Sequence, residues 1–369
     1  MADVTLIAAL QWGDENAEQA ASILSEDAEI IITSLKGAKV KDEEGEISLH
    51  SLSSAILKND KMVIVPGGAI ANLDAILSDF KVLEKKGIIV DNLFIDERCH
   101  IALPGFDAEE QKRKGLGLRA ADLLDDGALS SSLSNLLRFH NRLDCLEELL
   151  DKCRAWKLTF SNYIIDTVPV VKYAIKEDQK VLVEALDGFM RDISWSSYPY
   201  TAYEGCSVQS SLERAAIPPK AVTRILGVMN AFSKTEVGTP LPTRLKGEDD
   251  KQDALGWIDA VALEYACYIN GVDEICITGL SALDEVERLK VCTGYQIEGE
   301  YYPILPETRK LSLAKPIYAE FEGWKEDTAK IKRWDDLPEK CKLFLDELGT
   351  FLNAKISMIL ADEGKILEK

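Results

Sequence analysis

Short apolar runs bounded by turn residues recur along the first third of the chain. Residues 4–10 (VTLIAAL) form one, and Gly13-Asp14 follow it, the pattern of a buried strand opening into a loop. Residues 17–24 then carry apolar positions at helical spacing. Runs at 30–33 and 62–65 are two further predicted strands, and Pro66-Gly67-Gly68 closes the second before a helical stretch at 73–84. This alternation predicts an α/β fold built on a large, mainly parallel central sheet flanked by helices. Such folds bind ligands beyond the C-terminal ends of their strands.

The middle of the chain reads differently. Between 133 and 158 a single amphipathic helical stripe runs through Leu133, Leu136, Leu137, Leu143, Leu146 and Leu149, which predicts core packing. Strand patterns return at 181–184, 225–231 and 275–280, with a strongly periodic helix at 257–269 between the last two. Residues 291–297 and 301–305 flank Gly299 as a hairpin, and a helix at 337–352 precedes a last strand at 355–360. The polar run 246–253 (KGEDDKQD) reads as a solvated loop. A chain of 369 residues corresponds to two to three domains of ordinary size, or to one large α/β domain with insertions.

Lys and Arg number 43 against 63 Asp and Glu, a net charge of −20. A surface this acidic repels phosphate backbones and anionic lipid, which argues against nucleic acid and membrane partners. No run approaches the roughly 18 apolar residues of a spanning helix and no basic leader opens the chain, so a cytoplasmic location is expected. The eight cysteines contain no CxxC pair, and the three histidines, His50, His100 and His140, lie far apart, so no metal site is expected. These side chains read as packing or surface residues.

Gln11-Trp12-Gly13-Asp14-Glu15, directly after the first strand, is an unusual string, and it resembles the start of the adenylosuccinate synthetase family. Further strings follow in that family's order. Residues 49–57 (LHSLSSAIL) resemble its LHLLPSGIL, 95–100 (IDERCH) its ISxRAH, and 117–125 (GLRAADLLD) its GIRVxDLLD. Glu184-Ala185-Leu186-Asp187-Gly188 resembles EGAQG, and Tyr198-Pro199-Tyr200-Thr201 resembles GTYPxVTSS. Collinear matches run from Gln11 to about Ile359. The resemblance implies a P-loop-NTPase-like synthetase fold with helical and small β insertions. It implies one domain over 1–369, with a helical insertion around 128–178 and loops shortened near 111–115 and 246–255. It also implies a reaction in which GTP phosphorylates the purine oxygen of inosine monophosphate and the aspartate amine displaces phosphate. Such chemistry needs a base, a positive Mg²⁺-bearing phosphate cradle, a guanine reader and an anion clamp.

The positions that would carry this chemistry have changed. The family's GDEGKGK loop is Gly13-Asp14-Glu15-Asn16-Ala17-Glu18-Gln19 here: both later glycines and both lysines are gone, and Glu18 sets a negative charge among the phosphates. One like-charge contact at about 4 Å costs on the order of 4 kcal/mol. The catalytic histidine of the family's NAGHT element has no counterpart before His50. The segment bearing the 5′-phosphate loop is deleted, leaving Lys112, Arg113 and Lys114 at the scar. Asp187, an acceptor-only carboxylate, replaces the purine-reading glutamine. The threonine of VTSS falls at Ala202, next to Thr201, and an arginine has become Thr235. The arginine-rich aspartate clamp is Gln252-Asp253-Ala254-Leu255, and the guanine-reading TKLD is Thr278-Gly279-Leu280-Ser281. Asp14, the family's base, survives.

The losses fall on ligand chemistry and the matches on strand ends, turn prolines and packing sites. The sequence therefore reads as a catalytically degenerate synthetase-like chain, a pseudoenzyme with a binding or assembly role linked to purine nucleotide metabolism. Its candidate site residues are Asp14, a vestigial or retained base, and on the substrate side Asp187, Thr201 and Arg113. No cofactor is expected. The alternative is an active ligase of the same type with altered substrates, using GTP and Mg²⁺, Asp14 as base, and Lys36, Lys39 and Lys112 to Lys114 for positive charge. The resemblance implies a homodimer, or a hetero-oligomer with an active relative.

Overall fold

The structure is a computed structural model that describes residues 3–369 apart from 14, 34, 43–44, 203, 236–237, 246–253 and 363; the side chains of 41, 42 and 45 are also outside the description. Its principal strands are β1 (Asp3–Ala9), β2 (Ile30–Ile32), β3 (Met62–Val65), β4 (Leu93–Asp96), β5 (Ile164–Ile165), β6 (Lys180–Ala185), β7 (Val222–Asn230), β8 (Glu274–Thr278), β9 (Lys355–Ala361) and β10 (Lys365–Glu368). The helices that matter below are α1 (Ala17–Leu24), α2 (Leu73–Lys85), α3 (Ala108–Arg113), α4 (Asp126–Phe139), α5 (Leu146–Phe160), α6 (Thr167–Lys176), α7 (Ala260–Asn270) and α8 (Glu339–Leu352). The fold is α/β with a large, mainly parallel central sheet flanked by helices, as the pattern predicts.

The backbone divides into two compact units. The first holds Met1–Val4, Asp27–Glu184 and Leu212–Thr223; the second holds Thr5–Glu26, Ala185–Ser211 and Arg224–Lys369. In the first, strands run in the order β5-β4-β3-β2-β6 and every neighbour is parallel. Ile30, Ile31 and Ile32 of β2 are all buried, the continuous apolar run that a strand covered on both faces requires. Asn72 starts α2 by accepting the Ala75 N–H at 3.1 Å, and Leu73, Ile76 and Leu83 are buried along that helix. Asp79 is also fully buried there. Its carboxylate takes the N–H groups of His50, Ser51 and Leu52 at 2.7, 2.8 and 2.9 Å, which offsets the desolvation of the charge and fixes the 49–57 string.

In the second unit the order is β1-β7-β8-β9-β10, with β7, β8 and β9 parallel and β10 an antiparallel edge. A small sheet of Ile258–Asp259, Arg288–Ile297, Glu300–Tyr302 and Lys315–Glu322 accompanies it, and its hairpin turns at Gly299 as expected.

Two expectations are corrected. The stripe at 133–158 is two helices, α4 and α5, separated at Asn141 (φ 55°) and a short 3-10 turn, Leu143–Cys145; Leu143, placed in the buried stripe, is 48% exposed. The helix expected from 257 begins at Ala260, because Ile258–Asp259 form a strand and Asp259 caps α7 by accepting the Ala262 N–H at 3.2 Å. No helix among the described residues is long and apolar enough to cross a membrane.

Candidate functional site

In the second unit the loops that follow β1, β7, β8 and β9 gather at the C-terminal ends of those strands, where parallel sheets place ligands. Gln11 ties the first two together. Its Nε2 donates to the Phe232 carbonyl (3.0 Å), its Oε1 accepts the Asn230 N–H (2.8 Å), and its own carbonyl accepts the Met190 N–H (2.8 Å). Gly188 lies against the β1 loop so closely that a Cβ there would sit 2.1 Å from the Gly13 nitrogen. Only glycine permits that approach.

Within the loop, Gly13 has φ 106° and Asn16 φ 56°, a left-handed position that asparagine tolerates better than most residues. The Gly13 N–H donates to Glu15 Oε1 at 2.6 Å, and Glu15 is 1% exposed. Thr278 Oγ1, at the end of β8, lies 2.8 Å from the Glu15 carbonyl oxygen and 2.5 Å from Asn230 Oδ1. Helix α1 then starts with Glu18 in its first turn. An acidic side chain in the first turn of a helix is favourable in itself.

Past β8, Gly279 adopts φ 63°, and Ser281 Oγ donates to Asp362 Oδ2 at 2.6 Å. Asp362 is exposed in the turn between β9 and β10. Sequence reasoning missed this pairing, as it missed the Gln11 clamp. The Gln11-Trp12-Gly13 string was the only signal for the latter.

The predicted site residues are distributed as follows. Asp14 lies outside the described residues, as do Gln252 and Asp253 of the former arginine clamp. Asp187 is half-buried directly before Gly188 and so joins the β1 loop. Thr201 is half-buried in a segment held by Asp192, whose buried carboxylate accepts the N–H groups of Ser194, Trp195, Cys206 and Ser207. The neighbouring Ala202 N–H reaches the Arg191 carbonyl at 2.6 Å. Arg113 ends α3, exposed, in the first unit. Beside it, Lys112 bonds to the Gly68 carbonyl and Lys114 pairs with Glu110 at 2.5 Å. Thr235, at the former arginine position, is 4% exposed in a ribbon of Ser233–Thr235 with Ala254–Gly256.

The loop amide of Gly13 meets the Glu15 carboxylate and Glu18 opens α1, while Lys234 in the ribbon after β7 and Arg244 beyond it are basic residues of the same unit. No group of three or more metal-ligating side chains occurs among the described residues. Burial pushes the thiols of Cys267 and Cys276 up to about 12, which removes them as nucleophiles.

The sequence model of the adenylosuccinate synthetase family matches residues 6–114 and 105–363. The chain belongs to that family. Among its relatives is the adenylosuccinate synthetase of Caldicellulosiruptor saccharolyticus, 28% identical over 414 residues that cover 97% of each chain. The Fusobacterium nucleatum synthetase is 29% identical, covering 96% of both. The fully ligated adenylosuccinate synthetase of Plasmodium falciparum shares the fold over 100% of both chains with a TM-score of 0.88 at 20% identity. The cyanophage S-2L succinoaminodeoxyadenylate synthetase, bound to dGMP and to dATP as an energy donor, shares it with a TM-score of 0.51 at 14% identity, covering 84% of this chain and 97% of that one.

Proposed function

We propose that this adenylosuccinate synthetase family chain has set aside GTP-driven ligation and acts by binding or assembly linked to purine nucleotide metabolism. The loop after β1 carries the reading: its Gly13 amide meets Glu15, α1 opens with Glu18, and the lysines of the family loop are gone. Phosphoryl transfer rests almost wholly on positioning and charge, so a triphosphate arriving here would meet repulsion where it needs neutralisation. Calorimetric titration of GTP with Mg²⁺ and inosine monophosphate, run beside a phosphate-release assay, tests it. The expected outcome is no saturable GTP binding and no release above blank; micromolar GTP affinity defeats the reading. The proposed partner is a second copy or an active relative, which solution mass and pull-down separate.

A second reading, a ligase of the family's type with altered substrates, is the one the named relatives support better than the first. The β1 loop keeps left-handed backbone at Gly13 and Asn16, the latter where the family pattern has glycine, and the chain aligns along nearly its whole length with named synthetases. The cyanophage enzyme of similar fold, bound to dGMP and dATP, indicates that the fold accommodates nucleotides other than GTP. Asp14 would then be the base, with Lys36, Lys39 and Lys112 to Lys114 as the source of positive charge. Phosphate release with any nucleotide and amino-acid pair, abolished in Asp14→Ala, would put this reading in place of the first.

A further inference from the structure

The first unit contains a cleft of about 600 Å³ where β2 and β3 begin. Parallel sheets bind substrates where strands end; this cleft lies instead at the starting edge of its own two strands. Its apolar lining includes Ile30 and Met62, the opening residues of those two strands, and Val170 of α6. Tyr173 of α6 also lines it and is 60% exposed. Glu29 and Asp60 are its two lining carboxylates.

The two carboxylates differ. Asp60 is paired with Lys61 at 2.9 Å. Glu29 is held by neutral donors: its Oε2 accepts the Lys180 backbone N–H at 3.0 Å and its Oε1 faces Gln179 Nε2 at 3.4 Å. A carboxylate accepts about four hydrogen bonds, so Glu29 is oriented with acceptor capacity remaining. An anchored anion, an aromatic ring in reach of solvent and apolar lining side chains together favour one class of ligand. The charge goes to Glu29 and the ring, and the stem goes to the aliphatic residues. The cleft is open to solvent, and the net charge of −20 concentrates cations around the protein.

We propose that this cleft binds a small organic cation, an ammonium or guanidinium group on a short apolar stem. The experiment titrates the full chain with 2-phenylethylamine, and separately with its neutral counterpart 2-phenylethanol, while following the Ile30 and Met62 methyl signals by NMR. Saturable shifts with the amine and none with the alcohol are expected. Glu29→Gln keeps the acceptor for Lys180 and is expected to bind about fivefold more weakly, as is Tyr173→Ala. Both side chains are on the surface, and thermal melting confirms that each variant is folded. Absence of saturable shifts, an equal response to the alcohol, or unchanged affinity in Glu29→Gln would each overturn the proposal.

Discussion

A methyl group at Gly188 would land 2.1 Å from the Gly13 nitrogen and 2.3 Å from the Trp12 carbonyl carbon. Both are backbone atoms, so neither can swing aside. Gly188→Ala is therefore expected to destabilise the second unit by about 2–4 kcal/mol, read as a lower urea midpoint. Asn16 makes the milder case. At φ 56° a side chain other than asparagine meets its own backbone, so Asn16→Ala is expected to cost about 1 kcal/mol and Asn16→Gly close to none, by the same measurement. The two positions show how far a sequence can be read at this scale. Gly188 and Asn16 fall on recognisable strings, so their importance was legible. The Gly13 bond to Glu15 was not, because Glu15 belongs to the family string and only coordinates show where its carboxylate turns.

At the scale of elements, buried runs were easy to read and interruptions were not. Ile30–Ile32, all buried, and Ala17–Leu24 emerge where the apolar pattern puts them. The 133–158 stripe failed because α4 and α5 both bury leucines, so their periodicities run on across the break. Asn141, in the left-handed conformation that ends helices, was the local signal. Long-range side-chain pairs such as Ser281 with Asp362 leave no trace in spacing, since 81 positions separate them. This pair ties the turn between β9 and β10 to the loop after β8. Ser281→Ala is expected to cost only about 0.5–1 kcal/mol overall, the pair being exposed, while raising amide hydrogen exchange in residues 361–365. Unchanged exchange there would mean the contact does not restrain the turn.

Across the whole molecule, two buried titrating groups act in the same pH window with opposite sign. Asp259 in the second unit is pushed up to about 6 by burial, although Tyr295 donates to its carboxylate at 2.7 Å. Its folded state holds a proton that the unfolded chain, near 3.8, gives up, so its contribution is greatest below about 4 and is lost as pH rises through 6. The difference amounts to about 3 kcal/mol. His100 in the first unit is driven down to about 4 by burial and then by Arg119 and Lys112. The unfolded chain takes up a proton there near 6.5, so its contribution is present above that pH and is lost as pH falls towards 4. Screening of the exposed Arg119 trims it to about 1–2 kcal/mol. The parent therefore hides both slopes behind a partial cancellation, and single variants expose them. Asp259→Asn keeps an N-cap for α7 and is expected to gain stability relative to the parent as pH rises from 4 to 7. His100→Asn, which leaves a cavity, should be least damaging near pH 4 and most damaging above 6.5. Denaturant midpoints at a series of pH values, taken as differences from the parent, remove the background of surface carboxylates common to all three proteins. Parallel curves for Asp259→Asn and the parent would mean that Asp259 titrates alike in folded and unfolded chains.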